Sequence, residues 1–272
     1  MMERLKDELA GVSRAVRSSL NDRDVLVRLN ILLILYLGWV AFTVAYGLIQ
    51  SHSRNVTQEL LRLPLTSRSF VVTVVNFTHS IPLLYLTLRV VYYVGFTGSI
   101  ALTVFFVLVY WRDLRASDEL AMRYLLAYVS CGVIYSLFYV YAPHHVYHIP
   151  GFYPNRTYLT RPEFVLPSLH NTVAIINLLT VWHHRDKVCA KVLILMDSII
   201  PFATVLLGHH WVYDAMTGVM LAFIIVKVTD GRTLRIPEGA RTMHVRYIQR
   251  MTVVGLLIGL SVLLLAIHTP KP

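Results

Sequence analysis

Seven long apolar runs constrain this chain more than any other feature. They lie at about 29–49, 70–111, 122–142, 167–182, 190–208, 211–228 and 250–268, each bounded by charge or by Pro and Gly. A helix needs roughly 20 apolar residues to cross a hydrocarbon layer. Inside that layer the backbone must satisfy its own hydrogen bonds, which a helix does and an open sheet does not. The expected fold class is therefore all-α, a polytopic membrane protein. Composition agrees: 56% of the 272 residues are hydrophobic and 15% charged, which excludes a water-soluble globule and a disordered chain alike.

All runs but one have the length of a single helix. Residues 70–111 fit either two helices or one helix preceded by a re-entrant segment that enters one face and turns back. Charge arbitrates. With the amino terminus cytoplasmic and one net crossing through 70–111, the inside segments hold 18 Lys and Arg and the outside segments 6, as cytoplasmic loops require. The net charge of +10 then needs no nucleic-acid partner. Residues 1–28 place Leu5, Leu9, Val12, Val16 and Leu20 at spacings of three and four among charges, the pattern of an amphipathic segment on the cytoplasmic membrane surface. Residues 29–268 read as one transmembrane domain.

This topology brings three polar clusters to one face: the loop from Pro143 to Pro167, the helix start Pro167-Ser168-Leu169-His170, and the junction Gly208-His209-His210-Trp211-Val212-Tyr213-Asp214. An ionisable residue within a membrane helix is costly and marks function by default. Asp214 follows His210 by four residues, so on a helix the two share a face. A carboxylate beside an imidazole fixes its tautomer and makes it a competent nucleophile or base. His170 can serve as the complementary acid. Its helix start offers free N–H groups and a positive dipole end, where phosphate is the obvious anion. Arg161 and Arg156 supply forked donors for phosphate oxygens, and Ser168 one bond more.

Pro167-Ser168-Leu169-His170, followed about forty residues later by His210-Trp211-Val212-Tyr213-Asp214 with Gly218, resembles the type 2 phosphatidic acid phosphatase superfamily. The likeness is closest to the branch that includes fungal inositol phosphorylceramide synthase and bacterial inositol-phosphate transferases, which carry Pro-Ser-Leu-His where the phosphatases carry Pro-Ser-Gly-His. The resemblance covers about residues 90–228. It implies a six-helix core, here with an extra carboxyl-terminal helix, and a site on the extracytoplasmic or lumenal face. His210 is then the nucleophile that takes up the phosphoryl group as phosphohistidine, Asp214 orients it, and His170 protonates the leaving oxygen. No cofactor and no metal is implied. The partners are the bilayer, a phosphorylated lipid, and for transfer an alcohol such as inositol or a lipid hydroxyl.

Two cations of the phosphatase pattern are missing. Arg161-Pro162 stands where Lys-x6-Arg-Pro is usual, but position 154 is Pro, and Ala203-Thr204 replaces Ser-Arg. The loss favours headgroup transfer over hydrolysis of a dianionic monoester. The competing readings are a lipid phosphate phosphatase of the same superfamily and a transporter using buried His and Asp as a proton relay. His144, His145 and His148 suggest a metal, but His184 lies fourteen residues of helix beyond His170, about 21 Å away at the opposite face. Loop or headgroup contacts suit the three better. Tyr and Trp near span ends read as interface anchors. Arg89, within the 70–111 run, is left between snorkelling to the interface and reaching a phosphate.

Overall fold

The structure is a computed structural model that describes residues 2–149 and 161–268. Its first helix, α1, is Met2–Ser19. The next, α2, is Arg23–Ile49, starting six residues before the apolar run because the Asp22 carboxylate caps the backbone N–H groups of Asp24 and Val25.

The ambiguous stretch divides at one proline. Helix α3, Arg68–Ser80, is capped by Ser67. Ile81 is extended, as the residue before a proline tends to be, and Pro82 opens a new helix. That helix, α4, runs Pro82–Tyr110 without a break, through wide π-type turns at Val91–Gly95 and Phe105–Tyr110. Thirteen residues of α3 reach only about 20 Å, short of a crossing, whereas α4 exceeds one. The stretch thus holds one helix long enough to span and one that is not. Val71 and Val75 of α3 pack with Trp211, Val140 and Val165 at the end of the bundle where the motif residues lie.

The remaining long helices are α5, Leu114–Leu137; α6, Leu169–Val181; α7, Val188–Leu206; α8, Val212–Val228; and α9, Val245–His268. Among the described residues five helices are long and apolar enough to cross a membrane: Arg23–His52, Pro82–Tyr110, Leu114–Leu137, Val188–Leu206 and Val245–Val262. The chain is an all-α membrane protein. Helices α6 and α8 are equally apolar but have only 13 and 17 residues.

Helix α6 is the axis of the bundle, touched by α4, α5, α7 and α8. Its residues from Asn171 to Asn177 are all buried, which is why its sequence is apolar or small and polar all round instead of amphipathic. Helix α9 lies against α2, where Asn30 donates to the Thr252 hydroxyl at 2.7 Å and Leu33 meets the open side of Gly255. Ion pairs concentrate at the end of the bundle away from the motif residues. Arg28 grips Asp118 through two 2.8 Å bonds, Arg112 pairs with Asp22, and Arg123 bonds Glu119 at 2.9 Å and Thr180 at 3.0 Å.

Candidate active site

Two helix starts and one turn build the site. Ser168 is the cap of α6: its hydroxyl accepts from the Asn171 N–H, and it is fully buried. The turn between α7 and α8 is held by Gly208, whose φ of +73° suits a residue without a side chain. The N–H groups of His209 and His210 both donate to the Thr204 carbonyl at 3.0 Å. Trp211 anchors the next residue by donating its indole N–H to the Tyr141 carbonyl at 2.8 Å.

The His210–Asp214 pair forms, by a different route from a shared helical face. His210 precedes α8, and its Nδ1 lies 2.9 Å from Asp214 Oδ2 in the first helical turn. With Nδ1–H donating to the carboxylate, the lone pair of Nε2 is left free, directed toward the Ser168 hydroxyl at 3.5 Å. His170 completes the group, its ring centre 5.6 Å from that of His210. The nitrogen Nδ1 of His170 and Oδ1 of Asp214 are buried without a hydrogen-bond partner among the described residues. Ser168 is also tied to the other motif through its backbone: its N–H donates to the Asp214 carbonyl at 3.0 Å. The four residues therefore meet at one end of the bundle, three of them nearly inaccessible to solvent.

Burial sets the charge of the imidazoles in the turn and the adjacent loop. It lowers His210 to about 4, opposed by a hydrogen bond involving Val165. His144, on the short helix Pro143–Tyr147, is likewise pushed down to about 4 by burial, although its bond to the Gly208 carbonyl works the other way. Both are neutral at pH 7, the state in which an imidazole is nucleophilic.

The expected cations divide differently. Arg161 donates through Nε to the Thr43 carbonyl of α2 at 2.9 Å and lies over the Tyr46 ring at 5.4 Å. It is therefore bound to α2, and among the described residues no lysine or arginine is hydrogen-bonded to His170, His210 or Ser168. Arg156 lies outside the described residues.

Aromatic residues of α4, unmarked by any motif, form a wall. Phe96 packs at 4.7 Å from His170, Tyr92 at 5.4 Å from His170 and 4.6 Å from His209, and the Tyr93 hydroxyl is 3.0 Å from His209 Nε2. The signal available was the i, i+4 spacing of Tyr92 and Phe96, which puts both rings on one face. His144 joins them, 5.5 Å from His209. A narrow crevice lined by Leu65, Phe70, Val71 and Val74 reaches His210 from the α3 side. A roomier groove of about 520 Å³ opens at the opposite end, between Asn21, Arg28 and Val245, and contains none of the motif residues.

The chain is 29% identical over 210 residues to an uncharacterized protein of Methanocaldococcus jannaschii, an alignment covering 76% of this chain and 84% of that relative. No protein-family profile and no solved structure matches it.

Proposed function

We propose that the chain is an integral membrane enzyme that transfers a phosphoryl or phospho-headgroup from a phosphate-bearing lipid through a phosphohistidine. The carrying observation is the convergence of His210, held by Asp214 at 2.9 Å, with His170 and the capped start of α6. Two motifs forty residues apart in sequence occupy one place in space, and both belong to the pattern that resembles the type 2 phosphatidic acid phosphatases.

In this reading the six-helix core comprises α2 and α4–α8, so it begins at Arg23 rather than near residue 90, and α9 is the added carboxyl-terminal helix. The site faces the extracytoplasmic or lumenal side, because the opposite end carries most of the Lys and Arg. A phosphoryl group seated over Ser168 meets the N–H groups that open α6. Nε2 of His210 attacks phosphorus; the P–N bond forms as the P–O bond to the leaving group breaks, and that oxygen takes a proton from His170. Asp214 stabilises the positive imidazole. An acceptor hydroxyl then gives its proton to His170 and attacks phosphorus, and the P–N bond breaks. An alcohol acceptor yields headgroup transfer; water yields hydrolysis.

The test is a panel of phosphatidic acid, polyprenyl phosphate and phosphatidylinositol, each with and without candidate alcohols, analysed by mass spectrometry for what ends up on phosphorus. His210→Ala should abolish turnover, and Asp214→Asn should lower it about 10²–10⁴-fold, the usual weight of positioned acid–base chemistry. Phosphorus on an alcohol supports transfer; phosphorus on water alone replaces it with the phosphatase reading. Near-wild-type turnover in both variants would overturn either.

A further inference from the structure

Among the described residues, Arg89 is the cation of a strongly apolar surface. It lies on α4 two turns below Pro82, on a side where Leu83, Leu86, Val90 and Val94 are all exposed. Such a surface faces lipid, and an arginine within it is costly unless its head reaches polar groups or an anion. No carboxylate pairs with it among the described residues. Its guanidinium is instead held by two aromatic rings, 5.3 Å from the centre of Tyr85 and 5.9 Å from that of Tyr93. This contact fixes the position of the fork and leaves its N–H donors available.

Its height is set by the same tyrosine. Tyr93, one turn after Arg89, bonds His209, the neighbour of His210. Tyr92, on the inward side of that turn, packs on both His209 and His170. A single turn of α4 therefore presents Arg89 and Tyr93 to the lipid and Tyr92 to the imidazoles. The site needs such a charge. Arg161 is tied to α2 through its Nε, and positions 154 and 203–204 carry no cation.

We propose that Arg89 receives the phosphate of a lipid arriving sideways from the bilayer and delivers it past Tyr93 and His209 to His210. The ligand class is an anionic phospholipid with at least two unshared phosphate oxygens free for the guanidinium fork, its acyl chains lying along Leu86 and Val90. The proposal rests on the enzymatic reading above, but it concerns binding and is tested apart from turnover. Arg89 touches no reacting atom in this scheme; it positions the substrate.

The experiment embeds the full chain in nanodiscs of phosphatidylcholine doped with phosphatidic acid and counts retained lipids by native mass spectrometry. Wild type should keep phosphatidic acid in preference to phosphatidylcholine. Arg89→Gln should reduce that preference at least tenfold and Arg89→Lys should restore part of it. His210→Ala should bind like wild type while losing turnover, so a failure of the catalytic reading shows in that variant and a failure of this proposal in Arg89→Gln. In a kinetic arm, Arg89→Gln should raise the apparent KM for the long-chain lipid with little change in kcat, and leave a water-soluble phosphate ester unaffected. Equal retention of phosphatidic acid by wild type and Arg89→Gln, or no preference in wild type, would overturn it. Equal loss for lipid and soluble ester would make Arg89 a general phosphate ligand of the site and would overturn lateral delivery.

Discussion

Gly218 of α8 passes so close to the Ser168 carbonyl that a Cβ added to it would overlap that oxygen. Nearby, the Thr172 hydroxyl donates to the Gly218 carbonyl at 3.0 Å, and the Ser168 N–H donates to the Asp214 carbonyl at the same distance. The absence of a side chain at 218 is what allows α6 and α8 to cross at this depth, and that crossing sets the distance between the two motifs.

Gly218→Ala should therefore displace the start of α6 from His210. A forced methyl in a packed interface costs roughly 1–3 kcal/mol. The expected result is correct membrane insertion, a thermal midpoint in detergent lowered by several degrees, and activity reduced more than tenfold. An alanine variant with unchanged midpoint and rate would show that the crossing is not this tight.

The buried imidazole of His144 predicts an acid-sensitive fold. Unfolded, it takes a proton near pH 6.5; folded, burial holds it neutral down to about 4. Between those values the unfolded chain binds more protons, so the stabilisation present above pH 6.5 is lost as pH falls toward 4 and changes no further below it. His144→Asn should flatten the dependence of the thermal midpoint on pH across that window. His210 is lowered to the same degree, so the acid limb of any catalytic rate should lie below the ordinary histidine range. An acid limb centred at 6.5 or higher would contradict the assignment.

Asp197 should be replaceable with a gain. It is fully buried in α7, and neither carboxylate oxygen has a hydrogen-bond partner among the described residues. A buried polar group left unpaired is destabilising, and a buried charge more so. Asp197→Asn should raise the thermal midpoint by a few degrees without changing the rate. A lower midpoint would show that the carboxylate is stabilised in the folded protein, the Ser99 hydroxyl being its near neighbour.

The sequence was most legible where its signal was local. Apolar run length located the helices, though only five of the seven runs gave one long enough to span among the described residues, and the spacing of the two motifs anticipated that His170, His210 and Asp214 meet, because a helix start and a turn declare themselves within a few residues. It was least legible where contacts join distant segments. Pro82 was visible, but whether α3 crossed or stopped depended on α3 packing against Trp211 and Val165. Arg161 carries the sequence marks of a phosphate ligand, but nothing near it in sequence announces that its Nε bonds a carbonyl and its guanidinium lies over a ring of α2, more than a hundred residues away. The Tyr92, Tyr93 and Phe96 wall resembled ordinary interface aromatics, since nothing within α4 records that His170 and His209 lie opposite. His210 and Asp214 meet although His210 is outside the helix, because Gly208 and the Thr204 carbonyl shape the turn that holds it.

Helices α6 and α8 are shorter than the hydrocarbon layer is thick. At about 1.5 Å per residue, α6 falls roughly 10 Å short. Because α6 is enclosed by α4, α5, α7 and α8, its ends meet protein and not acyl chains. Phe96, about four turns into α4 from Pro82, is the residue that meets His170, so any polar headgroup must descend along α4 into the protein to reach the imidazoles.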